Sequence, residues 1–295
     1  MLDGILNILK PPGMTSHDVV SLVRKTLHTK KVGHAGTLDP DAAGVLPIFV
    51  GKATRLIEYA TEAPKTYRVH MQFGVQTDTG DDSGNIIKKS EIYSLNEELI
   101  IKVLQEFQGE QEQIPPMYSA IKHDGKKLYE LARSGVEVER KPRKIFIEAI
   151  RLLAKNEQGL FLEVICSKGT YIRTLVEDIA QKLDMCATMT FLLRMQVGVF
   201  NIQEAISLEI FLEKQKSCLL NAELAINHLP KIKLTEKQSL RFSQGVLTTI
   251  QDLDLKYKQT EQLRVYTHED VFLGIGCVDS KQIKPLKVFT IVRLD

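Results

Sequence analysis

The alternation of apolar and polar positions in the first half of the chain predicts strands interleaved with helices. Largely apolar runs at residues 5–9 and 45–50 indicate buried strands, and residues 66–73 alternate as a half-buried strand does. Apolar residues at helical spacing predict a helix that Ser16 caps and a second helix at residues 95–107. Periodicity alone therefore indicates an α/β protein in this half.

The second half begins with the same pattern of strands and helices and then changes to short strands at close spacing. Residues 145–154 and 160–166 predict a strand pair, followed by a helix that Thr170 is placed to cap. Beyond Lys231 to Lys233, short strands follow closely at 246–250, 263–267, 271–278 and 286–292. Short strands at close spacing are typical of a small β-barrel. We therefore place a domain boundary at 232/233, with residues 1–232 before it and 233–295 after it.

Composition narrows the class of protein. The 295 residues are 43% hydrophobic with a formal net charge of +2, so a sizeable core is expected and global charge does not identify a partner. No CxxC pair occurs, which argues against zinc and redox sites and fits a reducing, cytoplasmic environment. No apolar run approaches the roughly 20 residues that span a bilayer, and no export signal is visible. The four cysteines are Cys166, Cys186, Cys218 and Cys277.

The stretch at residues 33–44 is difficult to explain as packing alone. Its glycines and proline exclude a regular helix or strand, yet Leu38 and the adjacent alanines Ala42 and Ala43 predict that it folds onto the body. It carries Asp39 and Asp41, which could accept backbone hydrogen bonds as Asx-turns do or could carry chemistry. A calcium loop would need a longer series of oxygen ligands.

The most basic stretch lies at residues 120–144. It holds eight basic and four acidic side chains, a local net charge of +4, and Tyr129 lies within it while Tyr118 precedes it. A charge run is often only a solvated face, but aromatic residues among cations suit backbone contacts and base stacking on RNA. An acidic, glycine-rich stretch at residues 74–84 has a metal-site interpretation, but we favour a solvated hairpin connection there.

Five segments, taken in order, resemble the TruB family of tRNA pseudouridine-55 synthases. They are residues 33–40 (GHAGTLDP), 65–69 (KTYRV), 116–120 (PMYSA), 125–130 (GKKLYE) and 167–173 (SKGTYIR). The resemblance implies an α/β (α+β) fold with a central mixed or antiparallel sheet, flanking helices and a catalytic cleft. It also implies a small C-terminal PUA-like β-barrel that binds RNA, and a basic insertion at about 120–144 that clamps RNA.

The same resemblance implies the reaction. A uridine in the T-loop of tRNA, at position 55, is isomerised to pseudouridine by glycosidic bond cleavage, base rotation and reattachment through carbon. No cofactor and no metal are implied. The expected partner is the T-arm of tRNA, without a guide RNA and without a membrane, and we expect a monomer.

By this resemblance each site residue has a role. Asp39 is the catalytic carboxylate, Arg173 its partner and Tyr67 the base-stacking residue. RNA and base contacts are implied for His34, which occupies the space that the flipped nucleotide vacates, and for Tyr171, Leu192, Lys122, Lys126 and Lys127. One departure is visible, because many members have two arginines after Leu192 whereas this chain has Leu193 and Arg194.

The physical chemistry of the bond cleavage agrees with these roles. A carboxylate can act as a nucleophile or can stabilise positive charge that develops on the sugar. It must stay ionised where water is largely excluded, and a fixed guanidinium opposes the rise in pKa that burial causes. Asp41 is the rival acid, but we expect it to cap the following turn or helix.

Two other functions remain open at this point. A non-catalytic RNA-binding or RNA-folding protein would explain the basic segment and the C-terminal barrel, but it would not require Asp39 paired with Arg173. A guide-RNA-dependent relative would show no product on bare T-arm RNA, whereas the continuous basic insertion favours standalone action.

Overall fold

The computed structural model describes residues 2–251 and 253–290. The strands are β1 (Gly4–Lys10), β2 (Val32–His34), β3 (Ala43–Val50), β4 (Lys65–Phe73), β5 (Val75–Thr77), β6 (Ile86–Lys89), β7 (Gly109–Gln113), β8 (Lys122–His123), β9 (Lys126–Lys127), β10 (Arg143–Lys155), β11 (Gly159–Cys166), β12 (Ala187–Val197), β13 (Phe200–Asn201), β14 (Lys231–Leu234), β15 (Thr248–Thr249), β16 (Gln262–Thr267), β17 (Phe272–Asp279) and β18 (Gln282–Val288). The α-helices are α1 (Ser16–Thr26), α2 (Ile57–Glu62), α3 (Glu97–Glu106), α4 (Leu128–Arg133), α5 (Ile172–Lys182), α6 (Leu208–Lys214), α7 (Glu236–Ser243) and α8 (Leu253–Lys256).

A nine-stranded mixed sheet forms the centre of the fold. Its order is β1-β3-β12-β4-β11-β10-β7, with β2 paired to β3 and β13 to β12. The pairing is antiparallel except between β3 and β12, where Leu193 lies opposite Ala43 and Arg194 opposite Gly44. This parallel contact joins the half of the sheet built by the first strands to the half built by β4, β10 and β11. The predicted α/β class with a mixed central sheet is confirmed.

Helices cover this sheet in two of the apolar clusters that pack against it. Helices α3 and α5 pack their buried residues, such as Val103 and Ile179, against β4, β10, β11 and β12. In the other of these two clusters, Val19 and Val23 of α1 and Phe211 of α6 pack against β1 and β3. Apolar residues three and four positions apart create these helical faces, so burial follows the sequence periodicity.

Helix α1 begins differently from the prediction. Thr15, rather than Ser16, is its N-cap, and Thr15 and Asp18 form a reciprocal capping box. Ser16 is the first helical residue and is buried, and its hydroxyl both donates to the Leu38 carbonyl and accepts from the Leu38 amide. The prediction was wrong because a capping pattern cannot distinguish two adjacent hydroxyl residues when one of them has a partner far along the chain.

The C-terminal part forms a separate five-stranded curled sheet in the order β14-β16-β17-β18-β15. The strand predicted at 286–292 is β18, which ends at Val288, and residues 291–292 lie outside the described part of the chain. This sheet touches the main body, since Lys52 donates to the Phe289 carbonyl at 2.8 Å and the Arg55 guanidinium lies over the Phe289 ring.

Among the helices that the structure describes, none is both long and apolar enough to cross a bilayer.

The contact between β3 and β12 requires a glycine at position 44. Gly44 has a φ of +117°, and a Cβ there would lie 2.2 Å from the Arg194 carbonyl oxygen. We expect Gly44→Ala to lower the free energy of unfolding by at least about 2 kcal/mol, as measured by urea denaturation. Gly13→Ala is the control, since Gly13 also has a positive φ but an added Cβ meets no atom within 4 Å. Equal losses in the two variants would contradict this account.

Candidate active site

The loop between β2 and β3 folds onto the core, as its apolar residues predict. Leu38 and Ala42 are buried in the same cluster as Tyr67 of β4 and Leu192 of β12. Asp39 lies between these two anchors and is held at the surface of the cluster, with 41% of its side chain exposed. The loop therefore presents one carboxylate beside Tyr67 while its neighbours are fixed by packing.

Buried cations hold the loop through its carbonyl oxygens. Lys10 is fully buried and donates to the carbonyls of Pro40 at 2.9 Å and Met14 at 2.6 Å. Arg194 is also buried and donates to the carbonyls of Gly36 and Val45 on the two sides of the loop. Burial lowers the pKa of Lys10 to about 8, and the nearby carboxylates oppose that shift. Side chains from distant segments thus set the path of this loop.

Asp39 and Arg173 form an ion pair across 134 residues of sequence. Arg173 Nη2 lies 3.1 Å from Asp39 Oδ2, and only 7% of the Arg173 side chain is exposed. The same guanidinium donates to the carbonyls of Thr79 and Tyr118, each at 2.8 Å. A planar fork held by two fixed carbonyls cannot rotate away, so it presents its charge to the carboxylate in one orientation.

Asp81 is a second carboxylate at this guanidinium. Its Oδ2 lies 3.7 Å from Arg173 Nη1, and its Oδ1 accepts from the hydroxyls of Thr79 and Ser83. The preferred interpretation of residues 74–84 as a solvated connection was therefore incomplete, because the turn after β5 brings Asp81 to the site. An acidic turn gives no signal in the sequence that one of its carboxylates faces an arginine of a later helix.

The start of α5 positions Arg173. Tyr171 is the N-cap residue, and both its backbone amide and its carbonyl bond to the Gln113 side chain, at 2.8 and 3.1 Å. The predicted cap, Thr170, is wrong, because its hydroxyl donates to the Ser167 carbonyl instead. A cation in the first turn opposes the helix dipole, and the two carboxylates supply the compensating charge that this position requires.

Opposing influences act on the pKa of the Asp39 carboxyl. Burial raises the pKa of its carboxyl above the ordinary value, Arg173 opposes that rise, and the charge of Asp81 adds to it. Burial also raises the pKa of the Tyr67 phenol, while the Arg194 guanidinium beside that phenol opposes the rise. Tyr67 is therefore a neutral ring beside a carboxylate whose ionisation depends on Arg173.

A change at Asp81 should move the pH dependence of the site. Because the Asp81 charge raises the pKa of Asp39, the Asp81→Asn variant should have a lower Asp39 pKa. If the ionised carboxylate is the active form, the acidic limb of the rate profile should move to lower pH. The measurement is the single-turnover rate against pH, with Asp82→Asn as the control, and a shift of this limb to higher pH would contradict the assignment.

The remaining predicted residues fall into two groups. His34 ends β2 at the start of the loop and is half-buried, and its Nδ1 has no hydrogen-bond partner in the described part of the chain. The predicted phosphate contacts lie in the hairpin of β8 and β9, where Lys122 and Lys126 are exposed and Lys127 covers the Tyr129 ring. The structure thus places His34 and Leu192, both predicted to contact RNA, at the loop and leaves the lysines in a separate basic hairpin.

Three residues of the site were missed by sequence reasoning. The sequence gives no functional signal for Lys10, it places Asp81 within a solvated connection, and it marks Arg194 only as the residue after Leu193, where the family pattern departs. Alternation along β12 could have identified Arg194, because Leu192 and Arg194 both point inward while Leu193 does not. Across the described residues, no three or more side chains of His, Cys, Asp or Glu are grouped to hold a metal ion.

The chain that carries this mixed sheet and the arginine-held aspartate is, by its similarity to known families and proteins, a pseudouridine synthase. Family models match two parts of the chain: the TruB family pseudouridylate synthase N-terminal domain at residues 24–172, and the pseudouridine synthase II TruB C-terminal domain at residues 230–289. The chain belongs to the TruB family of pseudouridine synthases, which confirms the resemblance inferred from its five segments.

Individual relatives agree over nearly the whole chain. A protein of Caldanaerobacter subterraneus named tRNA pseudouridine synthase B is 43% identical, covering 98% of this chain and 99% of its own. A Clostridium perfringens protein of the same name is 42% identical over 96% of this chain and 97% of its own. Among solved structures, a Cbf5-Nop10-Gar1 complex matches with a TM-score of 0.74 at 26% identity, covering 98% of this chain and 85% of that chain.

A second solved structure supports the fold alone. The structure of an H/ACA RNP bound to a substrate RNA containing 2′-deoxyuridine matches with a TM-score of 0.74 at 24% identity, covering 97% of this chain and 85% of that chain. The arrangement of the central sheet and the curled C-terminal sheet is thus shared with chains of much lower sequence identity.

Proposed function

We propose that this protein isomerises uridine 55 in the T-loop of tRNA to pseudouridine, as a monomer and without a guide RNA, metal or cofactor. The observation that carries the proposal is the ion pair between Asp39 and Arg173 beside the buried ring of Tyr67. A protein that only binds RNA needs no oriented carboxylate held by a buried guanidinium. The names of the relatives at 42–43% identity support tRNA as the substrate.

In this proposal Asp39 acts on the glycosidic bond. Its carboxylate supplies negative charge where positive charge develops as the bond to the base breaks, either as a nucleophile or as a counter-charge. Arg173 keeps the carboxylate ionised although burial raises its pKa. The detached base then turns in place, and its C5 carbon bonds to the ribose carbon that N1 held. The proton on C5 is lost to solvent and N1 gains a proton, so the composition of the nucleoside is unchanged.

The target uridine must leave its stack to reach Asp39. Unstacking costs a few kcal/mol, which contacts with aromatic and apolar side chains offset. Tyr67 supplies the stacking ring, Leu192 and Tyr171 line the pocket, and His34 fills the space left in the RNA.

The basic hairpin and the C-terminal part bind the rest of the RNA in this proposal. Residues 1–232 form the catalytic domain, the insertion at about 120–144 clamps phosphates, and residues 233–295 form a PUA-like RNA-binding domain. Tyr118 precedes the insertion, and its carbonyl accepts a hydrogen bond from Arg173. The clamp is therefore connected to the catalytic pair.

Product mapping tests the function directly. Purified protein is incubated with an unmodified tRNA transcript and with a bare T-arm stem-loop, and pseudouridine is then located by chemical modification and primer extension. We expect a single product at position 55 on both RNAs with no other component added. Product that forms only with a guide RNA would favour a guide-dependent enzyme, and no product at all would refute the proposal.

The basic hairpin should contribute to binding but not to chemistry. We expect the double variant Lys122→Gln/Lys126→Gln to weaken tRNA binding and to reduce the slope of log K against log salt by about 2, because each lysine neutralises one phosphate. The rate at saturating tRNA should be unchanged. The control is Lys214→Gln/Lys216→Gln at the exposed end of α6. Equal salt slopes in the hairpin variant and the wild type would remove the hairpin from the RNA interface.

A further inference from the structure

We infer that Arg194 is a positioning residue that sets the location of the Asp39 carboxylate against the stacked base. The inference rests on the proposed function and extends it to a side chain outside the catalytic pair. Arg194 does not contact Asp39 in the described structure. It acts through the backbone of the loop that carries Asp39, and through the strand that carries Tyr67.

The hydrogen bonds of Arg194 enclose the loop. Nε donates to the Val45 carbonyl at 2.8 Å, Nη2 to the Gly36 carbonyl at 3.0 Å and Nη1 toward the Thr37 carbonyl at 3.4 Å. Two of these acceptors precede Asp39 and one follows it. A planar group with fixed donor directions therefore sets both the entry and the exit of the loop.

The backbone of Arg194 adds a second constraint. In the parallel contact Arg194 lies opposite Gly44, which has no side chain and lets β3 approach β12 closely. On the other side of β12, Arg194 lies opposite Tyr67 of β4. One residue thus relates the loop, the strand after the loop and the base-stacking tyrosine to one another.

The energetics of burial argue against a purely stabilising role. The Arg194 side chain is 1% exposed, and no carboxylate pairs with it in the described part of the chain. An unpaired buried cation carries a large desolvation cost, and an apolar side chain of similar volume often gives equal or greater stability at such a site. Directional hydrogen bonding to the loop is what an apolar residue cannot supply. In the Leu193–Arg194 pair the departure from the family pattern lies at Leu193, and Arg194 is the one arginine of the pair that this chain keeps.

The test separates an effect of Arg194 on the position of the Asp39 carboxylate from an effect on the stability of the protein. Arg194→Met removes the charge and the donors while keeping most of the volume, and we expect the rate at saturating tRNA to fall about 100-fold, as a misplacement of about 1 Å in a reacting group does. The affinity for tRNA and the midpoint of thermal unfolding should stay close to the wild-type values. Arg194→Lys, which keeps the charge and can reach one carbonyl, should give an intermediate rate.

A second measurement does not depend on activity. Hydrogen exchange at the Ala35, Leu38 and Ala42 amides, whose bonds hold the loop, should accelerate in the Arg194→Met variant. The control is Ile150→Ala, a buried position of β10 outside the loop contacts, which should lose stability but keep its rate at temperatures where it is folded.

The outcomes are distinct. A rate for Arg194→Met within threefold of the wild type, with unchanged exchange at the loop amides, would overturn the inference. If Arg194→Met does not fold, the rate of Arg194→Lys and its exchange at the loop amides decide the question in the same way. A wild-type protein that makes no pseudouridine would refute the proposed function, whereas an active wild type with a fully active Arg194→Met variant would refute this inference alone.

Discussion

The Asp39→Asn variant is expected to bind tRNA with wild-type affinity and to form pseudouridine about 10⁴-fold more slowly or not at all. Asparagine keeps the size of the side chain beside Arg173 but removes the negative charge that, in the proposed mechanism, cleavage of the glycosidic bond requires. Single-turnover pseudouridine formation and filter binding of tRNA measure the two quantities separately.

Asp41→Asn is the matched control for this variant. Asp41 lies two residues further along the same loop and is exposed. We expected Asp41 to cap the following turn or helix, but β3 begins at Ala43 and the Asp41 carboxylate accepts no hydrogen bond in the described part of the chain. The rate of pseudouridine formation by Asp41→Asn should therefore stay within a few-fold of the wild-type rate. Appreciable turnover by Asp39→Asn, or an equal loss in both variants, would contradict the assignment of Asp39.

Replacement of Arg173 is expected to have the second largest effect. Arg173→Lys keeps the charge but loses the fork that bonds Thr79 and Tyr118 while facing Asp39, so the rate should fall about 10²–10³-fold with tRNA binding retained. The rate of Arg173→Met should fall further, and this variant should also lose stability, because two carboxylates then face each other without a cation.

Arg151→Lys provides the comparison on a surface ion pair. Arg151 is exposed and pairs with Glu163 on β11, where solvent screens the charges. This variant should match the wild type in both rate and stability. An Arg173→Lys variant as active as Arg151→Lys would show that the orientation of the guanidinium has no part in the reaction.

The strands and helices were largely predictable because they follow apolar periodicity. The strand pair of β10 and β11 and the inward face of α5 agree with the pattern, because burial alone determines them. The packing of the loop between β2 and β3 onto the core was also predictable from Leu38 and Ala42. Pattern reasoning failed where a partner from a distant segment replaced the local one, as for the buried hydroxyl of Ser16.

The candidate site was only partly predictable for the same reason. Asp39 and Arg173 were paired from the family resemblance, supported by the argument that a buried carboxylate needs a cation and a cation at a helix start needs an anion. Asp81 and Lys10 join the site through contacts that no local pattern records. Their side chains act through carbonyl oxygens or a shared guanidinium, and such contacts depend on tertiary structure.

The most direct test of the central claim is a crystal structure of the protein bound to T-arm RNA that carries 5-fluorouridine at position 55. Fluorine at C5 cannot leave as a proton does, so the reaction should stop with the base in the site. The account predicts a base flipped out of the RNA, stacked on Tyr67 and facing the Asp39 carboxylate, which Arg173 still holds. A uridine that stays stacked in the T-loop, or an Asp39 carboxylate turned away from the ribose, would contradict it.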